Sequence, residues 1–297
     1  MRSTEASHTA QFMALFWALE SQRPPGSRLC YDPLAKRYLS GALRVVVAVS
    51  RLRLVSRLVC AVIDHRWPGA RTSGVARTRW IDEAVERALQ SGAGQLVLLG
   101  AGFDARGYRL PEAKGVVLFE VDHPATSIQK EKLSRAALGH IPENVVFVQI
   151  DFNHETLKDA LERAGYRSTV QTVFVWEGVS NYLTEEAVES TLSFCGSAAP
   201  NSWLIFTYID KKVLEQPALF YGTQRIMKLL RGVGEGWTYG MDPQQVGSYL
   251  MRHGLVLEKD VGAHEYRRQY YGQRSEGMRG YEFYRVATAA VRTTRAP

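Results

Sequence analysis

The chain has 297 residues, 45% hydrophobic and 23% charged, enough to build the full core of a soluble globular protein. Its net charge of +7 (37 basic against 30 acidic residues) admits nucleic acid or acidic ligands without requiring them. Three distant cysteines, Cys30, Cys60 and Cys195, form no Cys-x-x-Cys, which excludes a disulfide framework and a cysteine zinc site and points to reduced thiols in a cytoplasmic protein.

The opening MRSTEASHTAQ lacks the apolar core and cleavage site of a signal peptide, so none is expected. Residues 9–90 read as helical. TAQFMALFWALE is amphipathic, and ARTRWIDEAVERALQSG sets Ile81, Val85, Ala88 and Leu89 at helical spacing before Gly92. The most apolar stretch, 42–63, is interrupted by Arg44, Arg51, Arg53 and Arg57, too costly for a membrane span. A helix packed on its own domain with a solvated arginine face is expected there; a basic amphipathic helix on a membrane surface is the alternative.

From residue 95 short apolar runs alternate with helical stretches. Candidate strands are QLVLLG, VVLFEVD, VVFVQID, TVFVWEG and SWLIFTYID, separated by PATSIQKEKLSRAAL, HETLKDALERAG and TEEAVESTLSFCGSAA. That alternation predicts a parallel sheet covered on both faces. Residues 211–240, with Trp237, Tyr239 and six glycines or prolines, break the rhythm as an insertion after the fifth strand, read as a lid or substrate wall with a packed surface elaboration as the equal alternative. A helix, DPQQVGSYLMRHG, and strands near LVLEKDV and YEFYRVATAA complete a single domain. It divides into a helical cover (1–92), a cofactor-binding core (93–210), the insertion (211–240) and a C-terminal helix with strands (241–297).

The first strand breaks into Gly100-Ala101-Gly102, followed by Asp104. The spacing satisfies a relaxed dinucleotide fingerprint, with Glu120 and Asp122 about twenty residues on as candidate ribose ligands. A carboxylate in a loop meant for pyrophosphate would repel it, so a cofactor without phosphates fits better. S-adenosylmethionine is such a cofactor: its cationic groups favour the acids at successive strand ends, Asp122, Asp151 and Glu177, and its carboxylate favours an arginine. Asp122 could alternatively cap the helix beginning near Pro124.

ARTRWIDEAV, LLGAGFDARGYRL, FEVDHP, Asp151-Phe152 and WEGVSNYLT, in this order, resemble the leucine carboxyl methyltransferase family. Within it, the likeness is to the bacterial S-adenosylmethionine-dependent O-methyltransferases that include polyketide-tailoring enzymes. The resemblance implies an α/β, Rossmann-like class I methyltransferase with a seven-stranded, mostly parallel sheet. It places Arg77 at the cofactor carboxylate and Gly100, Ala101 and Gly102 in the methionine loop. Asp122 falls at the ribose, Asp151 and Phe152 beside the adenine (where relatives have Asp-Leu), and Glu177 at the methionine ammonium or ribose side.

Arg109 is expected to tie the loop to nearby carbonyls, and Arg106 has no assigned role. Tyr182 and Tyr208, just past strand ends, are candidates to face substrate. The expected reaction is methyl transfer to a small-molecule carboxylate in natural-product metabolism, with no metal and no nucleic-acid partner. Phenol methylation, with His264 or a tyrosine as base, and protein C-terminal carboxyl methylation are alternatives. A nucleic-acid methyltransferase is disfavoured, because Glu177-Gly178-Val179-Ser180 stands where such enzymes commonly carry Asn/Asp-Pro-Pro-aromatic.

Overall fold

The computed structural model describes residues 8–150 and 155–292, so Asp151 and Phe152 lie outside the described residues. Along β1 (Gln95–Leu99) successive side chains leave opposite faces of the sheet: Val97 and Leu99 enter one apolar cluster, Leu96 and Leu98 another. The same two-sided burial runs through β2 (Val117–Asp122), β4 (Thr172–Trp176) and β5 (Trp203–Ile209), whereas in the edge strand β3 (Val145–Gln149) only Val148 is buried. With β6 (Leu255–Gly262) and β7 (Tyr284–Val291) they form one seven-stranded sheet in the order β3-β2-β1-β4-β5-β7-β6. β7 runs antiparallel to both neighbours, and the other pairings are parallel.

Helices Ala70–Gln90 and Ala263–Tyr271 cover one face, packing Ile81, Val85, Leu89 and Tyr266 against the sheet. Helices Leu157–Arg163, Glu185–Gly196 and Val246–Arg252 cover the other. A third cluster joins helix His8–Ser21 to Phe103 and Ala105 of the loop after β1. That helix differs from its amphipathic reading. Residues 14–20 are all buried, because it lies between the glycine loop and the shorter N-terminal helices.

The expected arginine face of residues 42–63 is solvated, but so are several of its leucines and valines. The insertion contains helices Lys212–Glu215 and Thr223–Gly232. Its two ends are clasped: the Met241 N–H donates to the Ile209 carbonyl (2.9 Å), and the Lys211 N–H donates to the Met241 carbonyl (3.0 Å). No helix among the described residues is long and apolar enough to cross a membrane.

Candidate functional site

Strand register decides which loop residues meet. Leu99 pairs with Val121 and Leu98 with Val175, so Gly100, Asp122 and Glu177 leave the sheet side by side at the carboxyl ends of β1, β2 and β4. This is the switch point of an open α/β sheet, where β1 sends its neighbours in opposite directions. Gly100 turns there with φ +67°, and a Cβ on it would lie 2.3 Å from a Val179 methyl. The position therefore needs glycine on both conformational and steric grounds.

The Gly100 and Ala101 N–H groups return to the Val121 carbonyl, whereas the Gly102 N–H donates to Asp122 Oδ2 (2.6 Å). Asp122 Oδ1 accepts from the His123 N–H (2.7 Å). Burial pushes the Asp122 carboxyl above the usual aspartate range, with the two backbone donors offsetting part of that rise. Asp122 is not the helix cap; His123 is, its Nδ1 accepting from the Ala125 N–H (3.3 Å). Glu120, the competing ribose acid, is fully buried on Lys130 (2.8 Å) and absent from the cavity wall. Lys130 also donates to the Asp104 carbonyl (2.6 Å).

Glu177 sits in a chain of buried ion pairs. Its Oε1 accepts from Arg77 Nε (2.9 Å) and its Oε2 from Arg106 Nη2 (2.7 Å). Arg106 further approaches Asp104 (3.1 Å) and Asp82 (3.4 Å), at ion-pair distance but without hydrogen-bond alignment. Arg109 binds Asp82 (2.7 Å), a carboxylate where a carbonyl was expected. Three arginines thus balance three acids. Burial alone would raise the Glu177 carboxyl, but Arg77 and Arg106 outweigh it and hold the group below the ordinary glutamate value. The pairing also corrects the reading of Asp104: its charge is compensated by Arg106 and does not stand bare in the loop.

Of this ion-pair network, Arg77, Asp104 and Glu177 line a cavity of about 550 Å³, within the ordinary range of small-molecule sites. Its wall includes Arg77, Gly100, Ala101, Gly102, Asp122, Glu177 and Tyr182. The lining also includes Thr9, Phe12, Met13 and Phe16 of helix His8–Ser21 and Ile226, Leu230, Glu235 and Trp237 of the insertion. Tyr182 places its hydroxyl 3.4 Å from Thr9 Oγ1, and burial pushes its phenol up to about 12.

Tyr208 does not join them. It is fully buried in β5 and donates to Asp260 (2.8 Å), because its strand position faces the C-terminal hairpin. His264 is exposed on helix Ala263–Tyr271 and lies outside the cavity wall. Sequence reasoning left Arg106 without a role, named Trp237 only as part of the insertion, and overlooked Thr9 and Glu235. Arg106 pairs with acids distant in sequence, and Thr9 and Glu235 come from segments without a motif.

The site fits S-adenosylmethionine. A carboxylate accepts at about four positions, so Asp122 and Glu177 keep capacity beyond the bonds they make. Arg77 spends Nε on Glu177 and meets the weakly accepting Met13 sulfur with Nη2 (3.7 Å), leaving donors for an amino-acid carboxylate.

The sequence profile described as leucine carboxyl methyltransferase matches residues 10–196. The chain belongs to that family. Membership makes it an S-adenosylmethionine-dependent methyltransferase of class I. A Bacillus subtilis protein, YktD, named for S-adenosyl-L-methionine-dependent methyl transfer, is 30% identical over 211 residues, 70% of this chain and 69% of its own. A Streptomyces coelicolor protein of the same description is 37% identical over 145 residues, 48% of this chain and 50% of that one. A DUF574 family protein from Streptomyces avermitilis has the same fold (TM-score 0.59, 15% identity, 98% of this chain and 99% of that one).

Proposed function

We propose that the enzyme methylates an oxygen of a small, largely apolar acceptor held between helix His8–Ser21 and the insertion. The observation that carries this reading is a cavity lined both by strand-end acids with Arg77 and by apolar side chains of helix His8–Ser21 and the insertion. Gly100, Ala101 and Gly102 would cradle the methionine part of the cofactor, Asp122 its ribose hydroxyls, Arg77 its carboxylate and Glu177 its ammonium. Asp151 and Phe152 would flank the adenine. Bound there, S-adenosylmethionine supplies an activated methyl electrophile, so the protein's task is to align the acceptor oxygen and exclude water.

The charge of the cavity favours a neutral hydroxyl over the carboxylate that the sequence suggests. Its described lining carries Asp122 and Glu235 besides Asp104 and Glu177, whose charges Arg106 and Arg77 offset, and Arg77 is thereby already engaged. A buried acceptor carboxylate would find no second arginine or lysine there, and an uncompensated buried charge is costly. A phenol, with a pKa near 10, must lose a proton, and Glu235 is the acid at the acceptor end that can take it up. A carboxylate remains the second reading. The family's own description favours it, as does the buried Trp237 Nε1–H, a donor without a hydrogen-bond partner.

Incubation with methyl-labelled cofactor and matched phenols and aromatic acids, followed by mass spectrometry and mild alkali, tests both. An alkali-stable ether supports the hydroxyl reading, and an alkali-labile ester replaces it with the carboxylate one. Calorimetry checks the cofactor: S-adenosylhomocysteine should bind and NAD should not.

A further inference from the structure

Helices Gly41–Val49 and Arg53–Arg66 form a hairpin that leaves a large apolar surface uncovered. Val47 and Ile63 anchor it inward in the N-terminal cluster. Outward, Val45, Leu52, Leu54, Leu58 and Val62 are between 56% and 78% exposed. Leu54, Leu58 and Val62 follow at intervals of four and so make one stripe along the second helix. Arg44, Arg51, Arg53, Arg57 and Arg66, all exposed, border these residues, and no aspartate or glutamate occurs between residues 33 and 63. The first acid, Asp64, is bound by Arg71 (2.5 Å).

We propose that this hairpin docks the enzyme on an anionic lipid membrane. Leucines and valines flanked by arginines match both layers of such a surface: acyl chains take the apolar stripe, and acidic headgroups take the guanidinium groups. A second copy of the chain matches poorly. A two-fold contact through this face would set arginines against arginines with no carboxylate on the face to relieve them. Nucleic acid would pair with the arginines but give the exposed leucines no partner. Trp67, which caps the second helix, lines the cavity, so the docking surface runs up to the pocket. The inference holds whichever oxygen acceptor the enzyme uses.

Co-sedimentation of the full chain with vesicles of phosphatidylcholine, with and without phosphatidylserine, tests this. Binding to the anionic vesicles should be at least about tenfold stronger and should weaken in about 0.5 M salt. Arg51→Gln/Arg53→Gln/Arg57→Gln should lower it on the order of 100-fold. Leu54→Ser/Leu58→Ser/Val62→Ser should lower it at least about tenfold. Both variants should keep wild-type affinity for S-adenosylhomocysteine, which shows that they are folded. Equal binding to both vesicle types, or to neither, overturns the proposal. So does a lipid-free dimer that Leu58→Glu disperses, or tighter binding to duplex RNA that the serine variant leaves unchanged.

Discussion

Where β1, β2 and β4 end, the cavity wall consists of groups that the rest of the protein already holds. Asp122 is fixed by two backbone N–H groups, Glu177 by two arginines and Gly100 by the Val121 carbonyl. Across the cavity, Trp237 leaves a buried donor without a partner and Phe12 packs on Trp67 at 5.6 Å, with much of the wall supplied by a helix and an insertion outside the sheet. The cofactor end is preorganised by strand register; the acceptor end is assembled from parts that can vary while the sheet stays the same. On the proposed reading, the first set of groups holds the cofactor and the second contacts the acceptor.

Four measurements can break that contrast. The largest effect should follow Arg106→Met, which leaves Asp82, Asp104 and Glu177 short of a buried countercharge. A loss of about 3–5 kcal/mol in urea denaturation is expected; a loss under about 1 kcal/mol would mean that the cofactor end does not depend on the network. Next, Asp122→Ala should cost about 2–4 kcal/mol of S-adenosylhomocysteine affinity by calorimetry. Glu120→Gln, which breaks the Lys130 pair, should lower stability and leave that affinity alone. The reverse pattern would move the ribose role to Glu120.

At the acceptor end, Trp237→Phe and Glu235→Gln should change acceptor kcat/KM by about tenfold or more, with cofactor affinity held within about twofold. Equal losses in both quantities would erase the distinction between the ends. The smallest effect concerns pH. The Asp122 carboxyl is raised in the folded protein, so acidification protonates it early: cofactor affinity falls while the fold, relieved of a buried charge, does not suffer from that group. The Glu177 carboxyl is lowered, so its stabilisation is complete above the ordinary glutamate value near 4.3 and is lost only as pH falls through the lower folded value. Binding should therefore weaken before the protein unfolds in an acid titration followed by calorimetry and circular dichroism. Simultaneous loss would contradict the assignment.

The same contrast explains what the sequence made legible. Short apolar runs marked all seven strands, and parallel pairing converts matching strand ends into neighbouring loops, so Asp122 and Glu177 could be placed by counting. Arg77 could be placed through the motif around it. Charge compensation is harder to read: Arg106 reaches Asp82 and Glu177 across 24 and 71 residues, and no local pattern announces such a pairing. Tyr208 misled because a residue at a strand end can turn either to the cavity or to the next strand, and here the antiparallel β7 brought Arg285 opposite it. Thr9, Glu235 and Trp237 meet only because two segments more than 200 residues apart fold over the same opening.

The clasp at Met241 has a practical consequence. Because Ile209, Lys211 and Met241 are bonded backbone to backbone, the chain leaves the sheet and returns to it at nearly one point. Everything between is a cassette. A segment exchanged for residues 212–240 would leave and re-enter the fold at that same point, provided it kept the second tie, the Thr238 and Tyr239 N–H groups on the Asn181 carbonyl, and the packing of Trp237 on Phe283.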